Sequence, residues 1–380
     1  MRATKSGILH HGVWVKTLGD RLVATNFKGP GFNQIRLAAA TIVLLHHCRG
    51  VEYDVRADPL FSYSGGFMHF GLLAVLIFFA VSGFLVTPGL VQSGNVLNFV
   101  TNRILRIFPA LVTVVVVTTL ILGPILTVMS PISYFSNPTL YLYAKNILTL
   151  TYNYLPGVLS AAGEPVVING ALWTLHYEVL SYAALAILSV VALLRASSVL
   201  IVFLVVYGVC VAANFDPAVQ ASLPNRIVTL TGLFVYFAGG SALYMFRNWI
   251  PYSAPLAVAA FVLLMVGLAF GFGAVTAPLC LPYITVFLGL SALPAHYLLK
   301  RDLSYGIYLI HAPVLVAISL LYPGVRPWWM VAVGVFAITV MLSYLSWTYV
   351  EGPALAGKKA VADWINCRFI RAAVACRAWR

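Results

Sequence analysis

The sequence predicts an all-α polytopic membrane protein, a single bundle of about ten transmembrane helices with both termini cytoplasmic. Three observations predict it. The 380 residues are 61% hydrophobic and 9% charged, with a mean hydropathy of +0.94, more apolar side chain than a soluble core can bury. The apolar residues form long unbroken runs without the alternating polarity of a membrane β-barrel. Finally, the basic residues are distributed unevenly along those runs.

The expected spans are 34–50, 67–88, 107–129, 171–194, 197–214, 227–247, 252–272, 275–298, 303–322 and 327–350. Each is roughly long enough to cross a ~30 Å hydrocarbon core at ~1.5 Å per residue. The first is the least apolar, because small and polar residues dilute it. With the N-terminus inside, only Arg49, Arg56, Lys145, Arg226 and Arg326 fall outside. The other 18 of the 23 Lys and Arg fall on the cytoplasmic side. That bias sets both termini inside and accounts for the net charge of +13. It argues against nucleic acid as a partner and adds attraction to anionic lipid.

The domain plan is simple. Residues 1–31 form a cytoplasmic tail without the apolar core or cleavage site of a signal peptide. Residues 32–355 are the membrane domain, and 356–380 a basic, mildly amphipathic tail expected on the inner leaflet. The external segment 130–170 contains TLYLYAKNILTLTYNYLPG. Its tyrosines suit the headgroup layer, and an ordinary loop is the other reading. The cysteines at 48, 210, 280, 367 and 376 are scattered without metal-ligand spacing, so no metal is expected from them.

Ionisable residues inside spans are costly and mark function by default. In the first span Arg36 and His47 are eleven apart. At ~100° per residue this leaves them about 20° from one another on the helix face, roughly 16 Å apart along the axis. His46 points about 80° away. Arg36 reads either as a snorkelling anchor or as a site residue, and His47 either as a packing residue or as a base. Arg103 and Arg106 are neighbours three apart at the entrance of the third span. Paired guanidinium groups suit phosphate, and positive-inside anchoring is the plainer reading. Glu178 lies within the fourth span at a depth comparable to His47, where a carboxylate can orient an imidazole and raise its basicity. Ser304, Tyr308 and His311 form a polar stripe at i, i+4, i+7. Glu351 closes the tenth span at the cytoplasmic surface, where a solvated acid near the membrane is the plainer reading. Ser82 sits in a small-residue stretch suited to close helix packing.

These stretches also occur in the order of one family. The chain resembles the integral-membrane acyltransferases of the acyltransferase-3 family over about residues 30–355. Arg36-x10-His47, FFAVSGFL at 78–85, Arg103-x-x-Arg106 with IFPA, LWTLHYE at 172–178, LSYGIYLIHAP at 303–313 and YVEGP at 349–353 are similar to that family's ordered motifs. Thr174, His176 and Leu76 depart from the usual residues. The resemblance implies O-acylation of a sugar or related hydroxyl in a bacterial inner membrane, from cytoplasmic acyl-CoA, acetyl by default. Acyl-CoA is then a co-substrate, with no tightly bound cofactor and no metal. It implies His47 and Glu178 as catalytic residues, and Arg36, Arg103 and Arg106 as the acyl-CoA site. Ser82, Trp173, Ser304, Tyr308, His311 and Glu351 are expected to shape the cavity. The acceptor is a glycan or glycolipid, and membrane lipid is the remaining partner. A proton-coupled transporter or flippase is the competing class, since it too needs His, Glu and Arg inside helices. The absence of a visible internal repeat weighs against it.

Overall fold

The computed structural model describes residues 8–10, 13–50, 55–292, 301–324, 326–358 and 360–362. Most of the C-terminal tail, with Cys367 and Cys376, lies outside the described residues. A short antiparallel hairpin, β1 (Ile8–His10) and β2 (Val13–Val15), precedes an otherwise helical chain. The helices run α1 (Leu18–Ala24), α2 (Phe32–Cys48), α3 (Pro59–Tyr63), α4 (Phe70–Ser93), α5 (Val96–Val117), α6 (Gly123–Leu126), α7 (Pro131–Phe135), α8 (Thr139–Ala144) and α9 (Trp173–Val190). They continue with α10 (Ala196–Phe215), α11 (Pro217–Ser222), α12 (Asn225–Met245), α13 (Ala254–Ala269), α14 (Gly273–Leu290), α15 (Ser304–Leu321), α16 (Trp328–Ser346) and α17 (Gly352–Ala356).

Among the described residues eight helices are long and apolar enough to cross a membrane. Two more expected spans fall on shorter helices, α2 with 17 residues and α13 with 16. Large apolar side chains such as Ile201, Phe261 and Val333 remain exposed, as lipid-facing side chains do. The third span differs most from expectation. It starts at Val96, capped by the Asn95 side chain on the Asn98 amide, about three turns before the apolar run begins. Arg103 and Arg106 therefore sit within a helix, not ahead of one.

The chain forms two compact units. One comprises Met1–Gln92 with Val191–Ser304, the other Ser93–Val190 with Tyr305–Arg380.

In the first unit α13 packs on α14, α10 on α12, and α14 on both α12 and α2. In a bilayer, helices gain little from leaving lipid, so close approach of small residues carries the packing. The crossing of α4 and α12 shows this. A Cβ added at Gly83 would lie 2.0 Å from the Phe237 carbonyl oxygen, and one at Gly240 would lie 2.1 Å from that of Ala80. The two glycines are reciprocal, each admitting the other helix's backbone. Beside them Phe32, Phe84, Tyr244, Tyr283 and Leu290 form a buried cluster. Ser82 is half-buried next to this crossing, where the small-residue reading placed it.

In the second unit α5 continues through a π-helical turn, Thr118–Leu122, into α6. A second π-helical turn, Trp347–Glu351, joins α16 to α17. Gly306 of α15 lets Ser343 of α16 come close, within 2.9 Å of an added Cβ. The segment 130–170 folds onto its own unit. Tyr134 and Tyr143 are buried, and the Tyr134 hydroxyl donates to the Thr119 carbonyl at 2.8 Å. Burial pushes that phenol up to about 12. Asn146 ties the segment together by donating to the Tyr143 and Tyr152 carbonyls and accepting from the Tyr152 amide. Only part of the tyrosine set, Tyr141 and Tyr154, is exposed as an interfacial piece requires.

Candidate functional site

Arg36 lies early in α2. Its guanidinium donates to Asp302 Oδ2 at 2.6 Å. The other oxygen of Asp302 accepts from the Ser304 hydroxyl at 2.5 Å and the Ser304 amide at 3.2 Å. Asp302 thus fixes the start of α15 and holds Arg36, a charge-assisted arrangement of the stronger kind. Asp302 is not among the residues that the sequence singles out. An acid two residues before Ser304, at the start of a helix, was the available signal. Ser304, expected to face a cavity, spends its hydroxyl on Asp302.

About three turns along the same helix, His47 Nδ1 donates to the Val43 carbonyl at 2.8 Å. A carbonyl only accepts, so Nδ1 carries the proton of the neutral ring. Nε2 is then the basic nitrogen. His46 departs from that face, as the helical angle requires. Its ring packs on Gly71, where an added Cβ would lie 2.6 Å from Cδ2. It stacks on His69 at 4.6 Å between centroids and meets His47 edge-on at 5.8 Å.

In the second unit the two arginines of α5 part company. Arg106 reaches Glu351 Oε2 at 3.5 Å and covers the Tyr305 ring at 5.4 Å. Glu351 is 2% exposed, and its other oxygen accepts from the Ser346 hydroxyl at 3.0 Å. Its expected surface position gives way to a buried one, because the π-helical turn at the end of α16 redirects it inward. Arg103 covers the Tyr182 ring at 5.7 Å, and the Tyr182 hydroxyl donates to Glu178 Oε1 through a short bond. Each arginine is therefore stacked on a tyrosine, and each tyrosine stands beside a carboxylate. The Tyr305 hydroxyl donates to the Ile107 carbonyl at 2.9 Å. Tyr182 and Tyr305 were missed because a tyrosine in an apolar span carries no distinguishing pattern.

Tyr308 and His311 are buried. The Tyr308 hydroxyl donates to the Ala171 carbonyl at 2.8 Å and shares a 2.6 Å hydrogen bond with Thr174 Oγ1. It ties the start of α9 to α15. His311 Nδ1 donates to the Ile307 carbonyl at 3.0 Å, the same ring orientation as His47. Trp173 is 37% exposed and lies edge-on to Tyr177 at 6.0 Å. An apolar cavity of about 580 Å³ lies in this unit, bordered by both π-helical turns at Thr118, Leu122, Tyr349 and Val350 and by Ser346, the residue that donates to Glu351.

Residues 30–348 match the acyltransferase domain family, acyltransferase-3. Among curated proteins, the chain is 30% identical over 333 residues to the O-acetyl transferase of Shigella phage Sf6, covering 84% of this chain and 94% of that protein. It is 32% identical over 357 residues to Nodulation protein 10 of Rhizobium leguminosarum bv. viciae, covering 85% and 92%. No solved structure matches the chain.

Proposed function

The chain belongs to the acyltransferase-3 family, and on that premise we propose that it moves an acyl group, acetyl by default, from cytoplasmic acyl-CoA to a hydroxyl of a glycan or glycolipid. The acceptor class is a sugar of a surface polysaccharide, a lipo-oligosaccharide or a related glycoconjugate. The setting is a bacterial inner membrane crossed several times, with both termini inside.

One observation carries the reading. The hydrogen bond from His47 Nδ1 to Val43 makes Nε2 the basic nitrogen, on the same helix as Arg36. In direct transfer, Nε2 takes the acceptor's hydroxyl proton as the oxygen attacks the thioester carbonyl. The carbon–sulfur bond breaks, and the leaving thiolate takes the proton back from the imidazolium. In the covalent variant Nε2 attacks the thioester carbonyl and the CoA thiolate leaves; the acceptor oxygen then attacks the acyl-imidazole, the carbon–nitrogen bond breaks, and the hydroxyl proton goes to the thiolate. Arg36, Arg103 and Arg106 are the residues proposed for the donor's phosphates. Glu178 is the second catalytic residue in this reading. Ser82, Trp173, Ser304, Tyr308, His311 and Glu351 shape the cavity or hold the helices that do.

The test is release of free CoA by full-length protein in lipid nanodiscs, given acetyl-CoA and a glycan extract, with mass spectrometry of the glycan. Acceptor-dependent CoA release with a matching ester on a sugar supports the proposal. Uptake of substrate into vesicles without CoA release replaces it with the transporter. Full activity in His47→Ala removes His47 from either chemical route.

A further inference from the structure

We propose that His46, Asp58 and His69 form a binding site for a divalent first-row transition metal ion, zinc foremost, at the ends of α2 and α4. The three residues come from α2, from the turn before α3, and from the turn before α4. One ligand atom from each lies within 4.8 Å of the other two. None of the three belongs to the acyl-transfer residues above, and the proposal does not depend on that function.

The His46–Asp58 edge carries the argument. His46 Nδ1 lies 3.3 Å from Asp58 Oδ2. Two ligands bonded at about 2.0–2.1 Å to a tetrahedral ion stand about that far apart. The same Nδ1 is buried and makes no hydrogen bond, although the carboxylate is so near, because the contact is off the hydrogen-bond direction. Its side chain is 8% exposed and that of Asp58 is 3%. A nitrogen with a buried lone pair beside a buried carboxylate oxygen is what a cation joins and what a single proton joins poorly.

The surroundings hold these atoms in place. Gly71 leaves room for the His46 ring, since a Cβ there would lie 2.6 Å from its Cδ2. Asp58 Oδ1 accepts from the amides of Leu60 and Phe61, and Oδ2 from that of Phe70. Such outer bonds orient a metal-binding carboxylate. His69 must complete the set. Its ring lies parallel to His46, with 15° between planes, so a turn of that ring is needed to aim a nitrogen at the shared edge. Its Nδ1 accepts from the Leu72 amide at 3.2 Å, so this nitrogen carries a lone pair.

Two imidazoles with one carboxylate select zinc and its neighbours over calcium or magnesium, which prefer oxygen. Three protein ligands leave a fourth position for water or a substrate oxygen. Bound there, the ion fastens α2 to the α3–α4 turn one residue from His47.

The experiment uses tag-free, full-length protein in nanodiscs. It combines elemental analysis after chelator treatment with a Co2+ titration followed by visible absorption. About one equivalent of zinc, and Co2+ bands that zinc erases, are expected. His46→Ala and His69→Ala should each weaken Co2+ binding by more than the roughly 10–100-fold that loss of an outer-shell partner costs. His176→Ala, outside the cluster, should leave it unchanged. No Co2+ bands in the unaltered protein would overturn the proposal, whatever the variants do. So would equal binding by the variants, which would mark the metal as adventitious.

Discussion

Val43 and His47 are joined by a hydrogen bond within one helix, from ring Nδ1 to the carbonyl four residues back, at 2.8 Å. The bond needs no distant partner, so the orientation of the ring survives changes elsewhere. His47→Gln should therefore lower kcat by about 10²–10⁴-fold, the usual contribution of a general base, with little change in KM for acyl-CoA. Thiol release under saturating donor measures this. Equal loss in His46→Gln would contradict the assignment of the two histidines.

Asp302 should act through Arg36. If the guanidinium binds donor phosphate, Asp302→Asn frees its aim while keeping the charge. The expected result is a KM for acyl-CoA raised by several fold, about 1 kcal/mol of binding. Arg36→Gln should raise it further. A fall in kcat alone for Asp302→Asn would remove it as a positioning residue.

Arg106 and Glu351 are largely buried together. Removing one member leaves a charge without its partner, so Glu351→Ala should destabilise the protein by roughly 1–3 kcal/mol. Arg106→Met combined with Glu351→Leu should recover part of that, because losing both charges costs less than losing one. Thermal unfolding in detergent, followed at the tryptophans, reads the difference.

Gly83→Ala and Gly240→Ala should each separate α4 from α12, since the new methyl group lies about 2 Å from a facing carbonyl oxygen. Overpacking of this kind costs typically 1–3 kcal/mol. Gly208→Ala in α10, where nothing lies within 4 Å of the new atom, should be neutral or slightly stabilising. The same unfolding assay compares all three.

Much of the fold was legible because bilayer thickness imposes itself on composition. Each expected span overlaps a helix among the described residues, with residues 293–298 of the eighth span lying outside them, and the angle between His46 and His47 followed from helical geometry. The start of α5 was not legible, since Asn98, Asn102, Arg103 and Arg106 dilute its first turns below an apolar threshold. Within the segment 130–170, composition treats Tyr134 and Tyr141 alike. Only the packing of α7 against Thr119 and Gly123 buries the first and leaves the second exposed. The site partners were hidden for a different reason. Asp302 lies 266 residues from Arg36, and Glu351 lies 245 from Arg106, so no local pattern joins them. Asp58 caps α3, and its approach to His46 depends on where α2 and α4 end.

The π-helical turn Trp347–Glu351 has a consequence for how this chain tolerates change in length. Such a turn holds one residue more than an α-helical turn. Removing a single residue there would let α16 and α17 merge into one regular helix. Because the wider turn already takes up the extra residue, five residues there sweep nearly the angle that four sweep in an α-helix. The helix beyond would keep its facing, and Glu351 would stay near Arg106. In this stretch a one-residue deletion is a milder change than in a regular helix such as α10, where everything downstream would rotate by about 100°.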